Sequence, residues 1–162
     1  MITDTTAEEC MHYIDSRIHI SRSDLVIDPC AVNKHFIDLI KNKPCTSLFY
    51  NSDFTQTSNT IQHFDFLTVD DYNKFDRTVL SGLWYDDVHI IGSPPDHTAI
   101  AFIKKCCEFA DSISFILPFG LDDYFSAEYR LLFSTELPQL SRSSHIRDRK
   151  VFQIWLKGKS AS

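Results

Sequence analysis

Three short apolar runs in this chain end at proline, and that punctuation constrains the fold more than any other feature. Residues 24–28 stop at Pro29, residues 88–92 are followed by Pro94 and Pro95, and residues 113–117 stop at Pro118. Proline gives no amide hydrogen to a sheet ladder and biases the residue before it away from the helix, so each run reads as a strand ending in a sharp turn. Between the runs, apolar residues recur at helical spacing: Val32, Phe36, Leu39 and Ile40 after the first, then Ala99, Phe102, Ile103 and Cys106 after the second. Residues 46–50 read as another buried strand, 51–59 as a polar loop and 63–69 as a third short strand. Asp70, Asp71 and Asp76 fall on a solvated segment ending near Gly82. Thr6 and Glu9 form a capping-box pattern that predicts a short N-terminal helix burying Ala7, Cys10, Met11 and Ile14.

Strands alternating with helices predict an α/β fold, a mostly parallel sheet with helices on both faces. The tail departs from that rhythm: 131–133 and 151–156 are strand-like runs joined by a polar, Ser/Arg-rich segment, which predicts an antiparallel C-terminal strand pair at the sheet edge. At 162 residues the chain is one domain, read as an N-terminal helical extension (1–23), a core (24–157) and a tail (158–162). Ligands in such sheets bind outside the carboxyl ends of the strands. The residues around Asp28 and around Ser93 to Asp96 therefore face the ligand side.

Sixteen Lys plus Arg against 22 Asp plus Glu give a net charge of −6, the wrong sign for gripping phosphate over the whole surface. A nucleic-acid or acidic-partner contact would have to be local, and Arg142, Arg147, Arg149 and Lys150 form the candidate patch. Five scattered cysteines argue against a disulfide framework and for a reducing, intracellular compartment, cytoplasm or nucleus. Neither they nor the seven histidines show metal-ligand spacing, so no metal is expected. No run approaches the length of a membrane span, and the polar stretch from Met1 to Glu9 lacks a signal-peptide core. The four glycines are isolated, so no glycine-rich phosphate cradle exists in the sequence.

In their order, these elements resemble the S-adenosylmethionine-dependent N6-adenine methyltransferases, particularly the small single-domain viral and bacterial ones. In that family a strand ends in an acidic residue, proline, a small residue, alanine and Gly-x-Gly; here Asp28, Pro29, Cys30 and Ala31 keep the frame, and Val32 and Lys34 replace the glycines. Asp65, Phe66 and Leu67 look like the family's element after the third strand. Ser93, Pro94 and Pro95 match its catalytic signature, with Asp96 where an aromatic stands. The resemblance runs over residues 24–157. It implies a Rossmann-like methyltransferase fold, S-adenosylmethionine held near Asp28, Ala31, Asn51 and Asp65, and a catalytic turn at Ser93, Pro94, Pro95 and Asp96.

Methyl transfer to an adenine amine needs an acceptor on the amine, a carbonyl beside it and a flat wall for the extruded base. Ser93 and the Pro94 carbonyl supply the first two. Asp96 has no face for stacking, a contact worth about 1–3 kcal/mol per base. Valine and lysine at the glycine positions predict a turn that no longer admits the cofactor, and Asn51 is a neutral substitute for a ribose-binding acid. The expectation is a degenerate, catalytically inactive protein with vestigial sites and no cofactor, serving a protein partner or larger complex. An active S-adenosylmethionine-dependent enzyme and a nucleic-acid-binding accessory protein are the alternatives. On the plainest reading Asp28 caps the following helix, the prolines only form turns, and Cys106 and Cys107 pack.

Overall fold

The computed structural model describes residues 2–51, 61–63, 65–68, 85–141, 143 and 145–158, with the backbone alone for 61–63 and 147. One seven-stranded sheet organises them: β1 (Leu25–Asp28), β2 (Thr46–Asn51), β3 (Ile61–His63), β4 (Val88–Gly92), β5 (Ser112–Pro118), β6 (Tyr129–Glu136) and β7 (Lys150–Lys157), in the order β3-β2-β1-β4-β5-β7-β6. The first five are mutually parallel; β7 inserts antiparallel between β5 and β6. The order reverses direction at β1 and β4, the place where open α/β sheets bind ligands.

Parallel strands covered on both faces read as continuous apolar runs, and the two cores show why. On one face Leu25, Ile27, Ile90, Ile113 and Phe115 pack with Phe102, Ile103 and Cys106 of helix α3 (Ala99–Cys106). On the other, Val26, Ile91, Phe152 and Ile154 pack against α1 (Asp4–Asp15) and α2 (Lys34–Lys41). Alternate residues of one strand thus feed opposite cores.

Several boundaries differ from the sequence expectation for local reasons. Thr3, not Thr6, caps α1, its hydroxyl accepting from the Thr6 amide at 3.2 Å. Asn33, not Asp28, caps α2, and Val32 stands outside that helix, 56% exposed. The strand expected at 63–69 is displaced to 61–63, because Asp65 instead nucleates a 3-10 turn over Phe66–Thr68. Cys106 is buried in α3, and no disulfide joins the cysteines. The expected polar loop beyond Asn51 and the acidic segment around Asp70, Asp71 and Asp76 lie outside the described residues.

Phe115 is fully buried at the centre of the larger core. Phe115→Ala is expected to cost about 3–5 kcal/mol in urea unfolding, whereas Leu131→Ala on exposed edge strand β6 is expected to cost about 1 kcal/mol or less.

Candidate functional site

Parallel pairing places Ile27 opposite Ile90, so the turns that follow β1 and β4 leave the sheet side by side. At their junction an added Cβ on Gly92 would sit 2.7 Å from Asp28 Oδ1, closer than side-chain atoms pack, so only glycine fits. Asp28 is buried, and its Oδ1 accepts from the Cys30 amide at 3.2 Å. Burial pushes the carboxyl up to about 7, with the Cys30 bond only partly opposing. The Cys30 thiol is held well above the usual thiol range by burial and then by the Asp28 charge, against a stabilising bond from the Ser93 backbone. That bond links the two turns.

The end of β2 ties in by backbone. The Ala31 amide donates to the Tyr50 carbonyl at 2.8 Å, and Asn51 Nδ2 donates to the Ala31 carbonyl at 3.1 Å. Asp65 accepts from the Leu67 amide at 3.0 Å, and Phe66 turns inward against Tyr50, Phe102 and Phe109 with ring centroids 5.7–6.3 Å apart.

These pieces surround a cavity of about 530 Å³ at the carboxyl ends of the strands, walled by Pro29, Asn51, Asp65, Leu67, Ser93 and Phe102. The expectation that the glycine-free turn closes this space is not met. Val32 stands at the rim, Asn33 has φ −96° and caps α2, and His35 reaches away to Glu8 at 3.1 Å. At Asn33, between the two positions where the glycines are replaced, the backbone is extended and outside the left-handed region that glycine favours. A second cavity, about 760 Å³, shares Ser93, Pro95 and Asp96 and continues past Ile116 and Leu140.

By size the first cavity suits S-adenosylmethionine, since small-molecule sites run about 300–1,000 Å³. Its polar groups match only in part: Asn51 is neutral, with its amide nitrogen already committed to Ala31, and Asp28 is buried against Gly92. Asp65 is exposed at the wall in the position the resemblance assigns to the adenine contact.

At the turn after β4, which the resemblance makes catalytic, Pro94 is buried and Ser93 half-buried, both on the cavity. Asp96 forms an ion pair with Lys150 of β7, 54 residues away in sequence. Arg149 donates twice to Glu136, at 2.8 and 2.9 Å, and lies 4.8 Å over the Phe119 ring. Two members of the basic run thus face acidic partners; Arg142 lies outside the described residues, and only the backbone of Arg147 is described.

No protein-family model matches this sequence, and a sequence search of curated proteins returns no match. Solved structures do match. The 23S rRNA methyltransferase ErmE aligns with a TM-score of 0.61 at 10% identity, over 93% of this chain and 67% of that one. A putative methylase from Haemophilus influenzae gives 0.57 at 14% identity, over 96% and 98%. A putative RNA methyltransferase from Pyrococcus horikoshii gives 0.57 at 15%, over 96% and 85%. The chain has a Rossmann-like methyltransferase fold. Identities this low establish the architecture only.

Two outcomes test the strand-end junction. Gly92→Ala is expected to destabilise by roughly 1–3 kcal/mol in denaturant unfolding, because a methyl group must displace the Asp28 carboxyl. Between pH 4 and 7 the unfolded chain has lost the Asp28 proton and the folded chain keeps it, so stability falls as pH rises through this window and levels off above it. Unfolding measured from pH 4 to 8 is expected to fall less steeply for Asp28→Asn than for the native chain.

Proposed function

We propose that this chain is a catalytically silent, methyltransferase-like protein that acts as a binding or structural subunit of a larger assembly. The observation that carries the reading is the ion pair between Asp96 and Lys150. Where the resemblance calls for an aromatic wall against an extruded base, the turn after Pro95 presents a salt bridge, which offers no stacking face. The neutral Asn51, with its amide nitrogen committed to the Ala31 carbonyl, supports the same reading from the cofactor side.

A second reading, an S-adenosylmethionine-dependent adenine-N6 methyltransferase, is favoured by the open cavity and by Ser93 and Pro94 upon it. A third, a nucleic-acid-binding accessory protein, has less support: Arg149 and Lys150 are paired with carboxylates and the chain carries a net charge of −6. Among the described residues no helix is long and apolar enough to cross a membrane.

Incubating the full chain with methyl-labelled S-adenosylmethionine and adenine-containing single-stranded DNA or RNA separates the first two readings. The silent reading expects no label on adenine, and calorimetry with S-adenosylmethionine is expected to show no saturable heat. Label on adenine that Ser93→Ala or Asp65→Ala removes would establish the enzyme. Retention on nucleic acid that weakens steeply with salt would favour the accessory reading.

A further inference from the structure

At the amino ends of the same strands, away from the cleft, a second group of chemically capable side chains converges. Asp24 precedes β1, Asp87 precedes β4 and His89 lies within it. Residues two apart in a strand share a face, which puts Asp87 beside His89, and the pairing of Leu25 with Val88 brings Asp24 alongside. Each of the three offers one ligand atom, and those atoms lie within 4.8 Å of one another. Asp24 Oδ2 is 2.9 Å from His89 Nε2.

We propose that Asp24, Asp87 and His89 form a binding site for a divalent transition ion such as Zn²⁺. An imidazole with two carboxylates suits Zn²⁺, Mn²⁺ or Fe²⁺ better than Ca²⁺ or Mg²⁺, which prefer oxygen alone. The surroundings are those a ligating histidine requires. Ser112 Oγ lies 2.7 Å from His89 Nδ1 and orients the ring so that Nε2 faces the Asp24 carboxylate, where an ion would take the place of the proton the two now share. The backbone amides of Ser21 and Asp87 donate to the Asp24 carboxylate at 3.0 and 3.2 Å, fixing its position as well.

An independent feature indicates room for further ligands. A cavity of about 500 Å³ is lined by Asp87 and His89, with Asp111, Arg130 and Lys157 also on its walls. Three protein ligands beside an open space is the arrangement of a metal site that keeps a position for water or a small anion. His89 and Asp24 are only 3% and 2% exposed, so the ion would be gripped from the sheet side and open on the cavity side through exposed Asp87.

The site is tested on the full chain after chelator treatment. Zn²⁺ competition against a chromophoric chelator is expected to give one ion per chain. Asp87→Asn and His89→Gln are each expected to weaken binding at least tenfold. Ser112→Ala, which removes only the orienting partner, is expected to weaken it about 10–100-fold. His35→Gln, at the exposed His35, Asp4 and Glu8 group, is expected to leave it unchanged. Substituted Co²⁺ is expected to give visible bands without a thiolate charge-transfer band. Circular dichroism reports folding, and if His89→Gln does not fold, the exposed Asp87 variant decides. Absence of stoichiometric binding, a thiolate band, or native affinity in Asp87→Asn would overturn the assignment. None of these outcomes depends on methyl transfer, so the site stands or falls separately from the reading of the cleft.

Discussion

Gly92 against the Asp28 carboxyl sets how closely β1 and β4 approach at their carboxyl ends, and the cleft takes its form from that approach. The chain has four glycines and places one where a methyl group would meet an oxygen at 2.7 Å. The closeness comes with a carboxyl held out of water, which is why its proton affinity rises so far and why its charge weighs on the neighbouring Cys30 thiol. Such a group costs stability near neutral pH, and folds keep such costs mostly where a site is built. Here the return is geometric: two proline turns are held abreast with a cavity between them.

The electrostatics of the cleft are those of an acidic chain that has paired its few local cations. Exposed ion pairs of this kind contribute about 0–1 kcal/mol, so the Asp96 and Lys150 pair matters little for stability. Its importance is chemical. It joins the turn after β4 to the antiparallel strand β7 and sets two charged groups where the resemblance expects an aromatic ring. Glu136 at the end of β6 and Arg149 before β7 form a second pair, with Phe119 beneath the guanidinium.

Much of the architecture was legible because its signals are local. The proline stops, the helical spacing around Phe102 and Ile103 and the polar break before β7 led to a mostly parallel sheet with an antiparallel pair, the fold observed. The N-terminal cap was misplaced by three residues because Thr3 and Thr6 are both good caps and only the backbone course chooses between them. The third strand was misplaced because Asp65 bonds its own downstream amide, a turn that overrides the apolar run after it. In the cleft, strand order put Pro29 and Ser93 on the ligand side and the resemblance added Asn51 and Asp65, and all four line the cavity. The pairing of Asp96 with Lys150 was not, since neither residue type nor spacing announces a contact between side chains 54 positions apart. Nor was the open state of the cavity, which depends on the course of the backbone from Val32 through the extended Asn33 into α2.

The pairing of β1 with β4 governs the amino ends of the strands as strictly as the cleft. His89 lies on the face that carries Ile91 and meets Asp24 and Ser112 there, while Val88 and Ile90 face the opposite core. A one-residue slip would turn His89 into that apolar core and expose Ile90 to the polar partners, exchanging every satisfied bond for an unsatisfied one. Leaving a buried polar group without its partner costs about 1–3 kcal/mol, so each of these bonds holds the register. Asp24, His89 and Ser112 therefore specify the same register from below that Gly92 and Asp28 specify from above. A strand of only four residues, β1, is held in place by polar recognition at one end and by a steric fit at the other.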